Sequence, residues 1–187
     1  GLVGSEMCIR DRYNNFMYNF QKQDSMQTLE EGLKEFYSIN KEFEALAEKK
    51  DNPNSKVFKE HDYTHVLFGL GTSIEEESLL DSYTLWGTHW SWSRIWGFYK
   101  DPEYKSVVDD IIGKYGGWWS IMKIYLSLAP VKFKVIKKCR KMTKKWNYHD
   151  IPNEVLNTPL KHLREEYNIE LLSLDEIPIN RYLKSQH

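Results

Sequence analysis

A chain of 187 residues with 41% hydrophobic side chains is long enough to bury a core without disulfides or a structural metal, and its length suits one domain. Its 26 Lys and Arg offset 27 Asp and Glu to a net charge of -1, which leaves no general basic excess for nucleic acid and makes any electrostatic partner a local one. Cys8 and Cys139 lie too far apart for a CxxC pair, so neither a zinc knuckle nor a disulfide framework is indicated, and no run of about 18 uncharged apolar residues is present to span a bilayer.

Helical periodicity dominates the chain, and it predicts an all-α, single-domain bundle of about six to seven helices. Residues 1–12, GLVGSEMCIRDR, resemble the in-frame translation of a sequencing adapter. They are read as non-native sequence without a targeting pattern, and residues 13–187 as the single helical domain. From Thr28, the stripe Leu29, Leu33, Phe36, Phe43 and Leu46 predicts a first helix or helix pair, ending in the polar run from Glu48 to Ser55. A second helix is predicted from Asn54 or Ser55 to Gly69 and Gly71. Thr72 and Ser73 each precede a glutamate by three residues, the capping-box pattern that opens a third helix. That helix is expected to run through Leu79, Tyr83 and Trp86 to Trp90 and on towards Asp101-Pro102. Further helices are predicted from Tyr104 to Tyr115, closed by Gly116-Gly117, and from Trp118 to Leu128, closed by Pro130. A basic stretch from Lys132 to Lys145 and a loop from Asn147 follow, and Thr158-Pro159 opens a last helix through Leu160, Leu163 and Tyr167.

On the second helix, His61 and His65 are one turn apart and share a face, with Asp62 about 100° around from His61. A sharp turn through Gly69-Leu70-Gly71 would return the third helix antiparallel and bring Glu77 within reach of that turn. Two imidazoles and two carboxylates suit a divalent metal: zinc first, with iron, manganese or magnesium as alternatives. An HxxxH pair can equally face solvent, but these histidines share their stripe with Phe58 and Phe68 and are expected to face inward. A zinc protease would carry glutamate where this chain has Asp62, and an HD-type phosphohydrolase would need a histidine before His61.

HDYTHVLFGLGTSIEEE, residues 61–77, resembles the signature of the coenzyme Q (ubiquinone) biosynthesis protein 4 family, HDxxH followed after eleven residues by Glu, with glycines at 69 and 71. TPLKHLREEYNI, residues 158–169, is similar to that family's C-terminal helix. The resemblance implies that His61, Asp62, His65 and Glu77 are metal ligands and the catalytic apparatus. It also implies a protein that binds a prenylated quinone precursor or other isoprenoid lipid at a membrane surface and supports C1 decarboxylation and hydroxylation of the ring, alongside other quinone-biosynthesis proteins. In a bacterium such a protein would be cytoplasmic and peripheral to the inner membrane; in a eukaryote it would lie on the matrix side of the mitochondrial inner membrane. The chain departs from the family in LEEGLKEFYS, residues 29–38, which lacks a TLG-type sequence, and at Glu76, where a small residue is usual.

Tyr83, Trp86 and Trp90 could line an isoprenoid groove, although core packing is the commoner use of such residues. His89 is read as a hydrogen-bonded structural histidine rather than a fifth ligand. The stretch from Lys132 to Lys145 holds eight basic residues and no acidic one. Following an apolar-aromatic segment, it suits anionic lipid, with Lys137, Lys138, Arg140 and Lys141 as candidate membrane-facing residues. A non-catalytic lipid-binding scaffold and a metal-dependent hydrolase are the competing functions, and a symmetric homodimer is the expected assembly.

Overall fold

The computed structural model describes residues 17–49, 51–90, 105, 109, 112–113 and 115–178. The adapter-like residues 1–12 lie outside them, as does most of the helix predicted from Tyr104, of which residues 105, 109, 112 and 113 are helical. Eight α-helices form among the described residues, with no strand. They are α1 (Leu29–Ile39), α2 (Lys41–Ala47), α3 (Ser55–Phe68), α4 (Ile74–Gly87), α5 (Trp118–Ser127), α6 (Ala129–Lys141), α7 (Asn153–Leu156) and α8 (Leu160–Tyr167). The protein is all-α, and among the described residues no helix is long and apolar enough to cross a membrane.

Local chemistry explains most boundaries. The Thr28 hydroxyl accepts from the Glu31 N–H while the Glu31 carboxylate accepts from the Thr28 N–H, a complete capping box that starts α1. α1 and α2 are separate because Asn40 breaks the run; its N–H and its side-chain amide both donate to the Phe36 carbonyl. Leu29, Leu33, Phe36 and Tyr37 of α1 join Phe58, Val66, Leu67 and Phe68 of α3 in one core. Close approach of α1 to α3 depends on Gly32, where a Cβ would sit 2.5 Å from Val66 Cγ1.

One expectation is corrected and another extended. The third predicted helix does not continue through Trp90: α4 ends at Gly87, and Thr88 turns extended. There the Trp146 N–H donates to the Gly87 carbonyl and the His89 N–H to the Trp146 carbonyl, so a distant segment takes over the backbone bonds that the next turn would have used. The segment predicted from Trp118 does stop before Pro130, at Ser127 with Leu128 as its C-cap, but the helical run is only interrupted there. Pro130 lies in the first turn of α6, where its missing N–H costs nothing, and the chain is helical again directly after Leu128.

α4 and α6 form the most extensive helix pair. Ile121, Leu128, Val135 and Cys139 are buried along α5 and α6 at near-heptad spacing, and a Cβ on Gly87 would lie 3.2 Å from the Cys139 sulfur. The last helix is tied in by Arg164, which is 1% exposed. Its guanidinium donates to the carbonyls of Phe20, Lys22, Val66 and Leu67, fastening the N-terminal segment and the end of α3 to α8.

Candidate metal centre

α3 ends at Phe68, less than one turn after His65. Gly69 has a φ of +66°, the left-handed conformation that favours glycine, and the Leu70 N–H closes back on the His65 carbonyl. The turn from Gly69 to Ser73 is then held from both sides. Thr72 donates its hydroxyl to Asn40 Oδ1 at 3.0 Å, and the Glu76 carboxylate accepts from the Gly71 N–H at 2.8 Å and from the Ser73 hydroxyl at 2.8 Å. Glu76 is thus committed to starting α4, which leaves Glu77, the next residue in the first turn, facing α3.

His61, His65 and Glu77 come together: one ligand atom of each lies within 4.8 Å of the others. His65 is fully buried, whereas His61 and Glu77 are partly open, their side chains 28% and 24% exposed. The inward orientation expected of both histidines is therefore complete only for His65. Its ring stacks on Phe36 at 5.1 Å between centroids and meets Phe43 and His61 edge-on. Neither ring nitrogen has a hydrogen-bond partner. Nε2 lies 3.3 Å from Glu77 Oε1, ion-pair distance without hydrogen-bond alignment. Burial by itself pushes the His65 imidazole down, but the charges of Glu77, Asp62 and Glu76 outweigh it and leave the group above its ordinary value. Glu77 is the converse: burial pushes its carboxyl up, and His65 with His61 draw it below the usual carboxylate range.

Asp62 lies beside this group rather than within it. It is buried; Tyr37 donates its hydroxyl to Oδ2 at 2.8 Å, and Oδ1 lies 3.8 Å from His61 Nδ1. One oxygen is held by α1 and the other is turned towards the first histidine. Burial, and after it the Asp62 charge, pushes the Tyr37 phenol well above its ordinary value, so it remains a donor.

Two features escape sequence reasoning. Tyr37 is one, since nothing local pairs a residue of α1 with Asp62. The other is Glu60, next to His61 and buried, which accepts from the Asp150 N–H at 3.0 Å and meets His149 Nδ1 at 3.2 Å. It bolts the loop after α6 to the helix that carries both histidines. A buried glutamate beside HDxxH is visible in the sequence only as one more charged residue.

The candidate groove residues do not share one environment. Tyr83 is core, stacked on Phe68 at 4.4 Å between centroids; Trp86 is exposed; Trp90 is partly buried against the core. His89 is exposed and lies outside the three-residue group. Of the four candidate membrane-facing residues, Lys138 and Lys141 reach Glu170, at 2.8 and 3.6 Å. No family model, curated protein or solved structure matches the chain.

The donor set fits a divalent ion on chemical grounds. Neighbouring ligand atoms around a tetrahedral ion with bonds of about 2.1 Å lie about 3.4 Å apart; His65 Nε2 and Glu77 Oε1 are 3.3 Å apart, and the three-residue group as a whole spans up to 4.8 Å. A buried imidazole without a hydrogen bond is costly, and coordination is one arrangement that would satisfy it.

Proposed function

We propose that the protein binds a divalent metal, zinc first among the candidates, through His61, His65 and Glu77 with Asp62 adjoining. In this reading it acts on a prenylated quinone precursor at a membrane surface, supporting C1 decarboxylation and hydroxylation of the ring. The observation that carries the metal assignment is the convergence of two imidazoles and a carboxylate around a fully buried His65 whose ring nitrogens lack hydrogen bonds. The substrate class rests on the resemblance of residues 61–77 and 158–169 to the coenzyme Q biosynthesis protein 4 family.

When bound, a metal with open positions would supply Lewis-acid stabilisation of charge developing on a carboxylate or ring oxygen. The chain's own residues do the positioning. Phe36 fixes the plane of His65, Tyr37 fixes Asp62, and the Glu76 cap sets where Glu77 enters. His61 and Glu77, the partly open members, form the side from which a substrate can approach.

Element analysis of the purified protein tests the proposal. About one divalent ion per chain is expected, lost in His65→Ala. Absence of stoichiometric metal in the wild type, with melting unaltered by His65→Ala, would sink the metal assignment. Glu77→Gln is expected to abolish complementation of a ubiquinone-deficient strain; if it complements fully, the protein is a scaffold for other quinone-biosynthesis enzymes rather than an enzyme.

A further inference from the structure

The buried seam of α5 and α6 has an unusual opposite face. Trp118, Trp119, Met122, Leu126 and Phe133 are all exposed, Trp119 to 81% and Leu126 to 69%. Positions 119, 122, 126 and 133 recur at helical spacing, so across the Leu128 junction they make one stripe rather than scattered exposures. Charge is distributed around this stripe in a definite way. Between Asp110 and Asp150 the sequence carries ten Lys and Arg and no Asp or Glu. Four of those lysines are neutralised: Lys134 by Glu176, Lys138 by Glu170, Lys141 by Glu170 and Lys144 by Glu166. Lys123, Lys137 and Arg140 have no carboxylate within ion-pair distance among the described residues, and on a helical projection they fall along the aromatic stripe or beside it. Arg140 instead lies 6.0 Å above the ring of Trp86, itself exposed.

We infer that this face, Trp118, Trp119, Met122, Leu126 and Phe133 bordered by Lys123, Lys137 and Arg140, docks on an anionic lipid bilayer, the rings and Leu126 entering the interface and the three cations contacting headgroup phosphates. It deepens the proposed function and rests on its membrane-surface element. Tryptophan and long apolar side chains beside unpaired cations match the two layers of such an interface, acyl boundary and anionic headgroup. A second copy of the chain fits less well. A two-fold interface sets a patch against itself, so Lys123, Lys137 and Arg140 would be gathered against a partner patch carrying the same three cations, with no carboxylate on the stripe to offset them. The helix that carries the stripe also packs beside the candidate metal centre: on α5, Tyr125 donates to Asp81 Oδ2 at 3.4 Å, one turn beyond Glu77 on α4.

Sedimentation of the full chain with phosphatidylcholine vesicles, with and without phosphatidylglycerol, tests the inference, metal content being measured on the same samples. Binding is expected only with phosphatidylglycerol, and it should weaken as salt rises. Each cation near an anionic surface contributes about a fivefold change in partitioning, so Lys123→Gln, Lys137→Gln and Arg140→Gln together should lower it about a hundredfold. Trp119→Ser with Leu126→Ser should lower it at least about tenfold. These positions are exposed, so circular dichroism should match the wild type. Absence of vesicle binding, or binding unaffected by both sets, overturns the inference. A lipid-free dimer dissolved by Trp119→Ser with Leu126→Ser, without vesicle binding, would overturn it in favour of self-association. Metal retained without vesicle binding defeats this inference alone; vesicle binding without metal defeats the metal assignment alone.

Discussion

Asp62 shows how a single hydrogen bond can decide what a carboxylate is free to do. With Oδ2 engaged by Tyr37 and Oδ1 turned towards His61, the group presents one oxygen in one orientation. Tyr37→Phe keeps the ring and removes only the donor. A buried acceptor left without its partner costs about 1–3 kcal/mol of stability, to be read by urea denaturation. If Asp62 contributes to metal binding, affinity should also fall about ten- to a hundredfold, the usual effect of losing a supporting partner, measured by chelator competition. Stability lost with unchanged affinity would make Asp62 a structural residue. This pairing is invisible in the sequence, where 25 residues separate Tyr37 from Asp62, whereas His61, His65 and Glu77 were legible because helical spacing and a capped turn bring them together.

Among the elements, those whose ends are set by local chemistry could be read from sequence, and those set by distant contacts could not. The Ser73 and Glu76 cap and the left-handed Gly69 place the ends of α3 and α4 that flank the candidate centre. The far end of α4 depends on Trp146, and no periodicity in residues 83–90 encodes it. The start of α6 at Ala129 was not legible because a proline after an apolar helix marks a stop as readily as it marks the first turn of the next helix. α8 matters more than its eight residues suggest. Arg164→Met would leave the buried Phe20 and Leu67 carbonyls, on two separate segments, without a donor, while the Lys22 and Val66 carbonyls keep the Ser25 and Gly69 N–H groups. At least about 2 kcal/mol of stability should be lost, seen as a lower denaturation midpoint. A loss below about 1 kcal/mol would mean that the carbonyls find other donors.

For the molecule as a whole, periodicity was enough to give an all-α chain, but the partition of its charges needed the fold. Glu166, Glu170 and Glu176 cancel one side of the basic segment and leave the other side bare, a division that net charge and composition conceal. The same packing gives Cys139 a separate use. Burial against α4 pushes its thiol up to about 12, so a thiol reagent can reach it as thiolate only when the α4–α6 seam parts. With Cys8 replaced by serine, labelling of the native protein should run at least about a hundredfold slower than in denaturant and should quicken in Val135→Ala, which thins the same seam. Equal rates in the two states would show that the seam stays open. Cys139 is in that sense a stopwatch installed by the sequence, timing how often the two longest-packed helices of the bundle come apart.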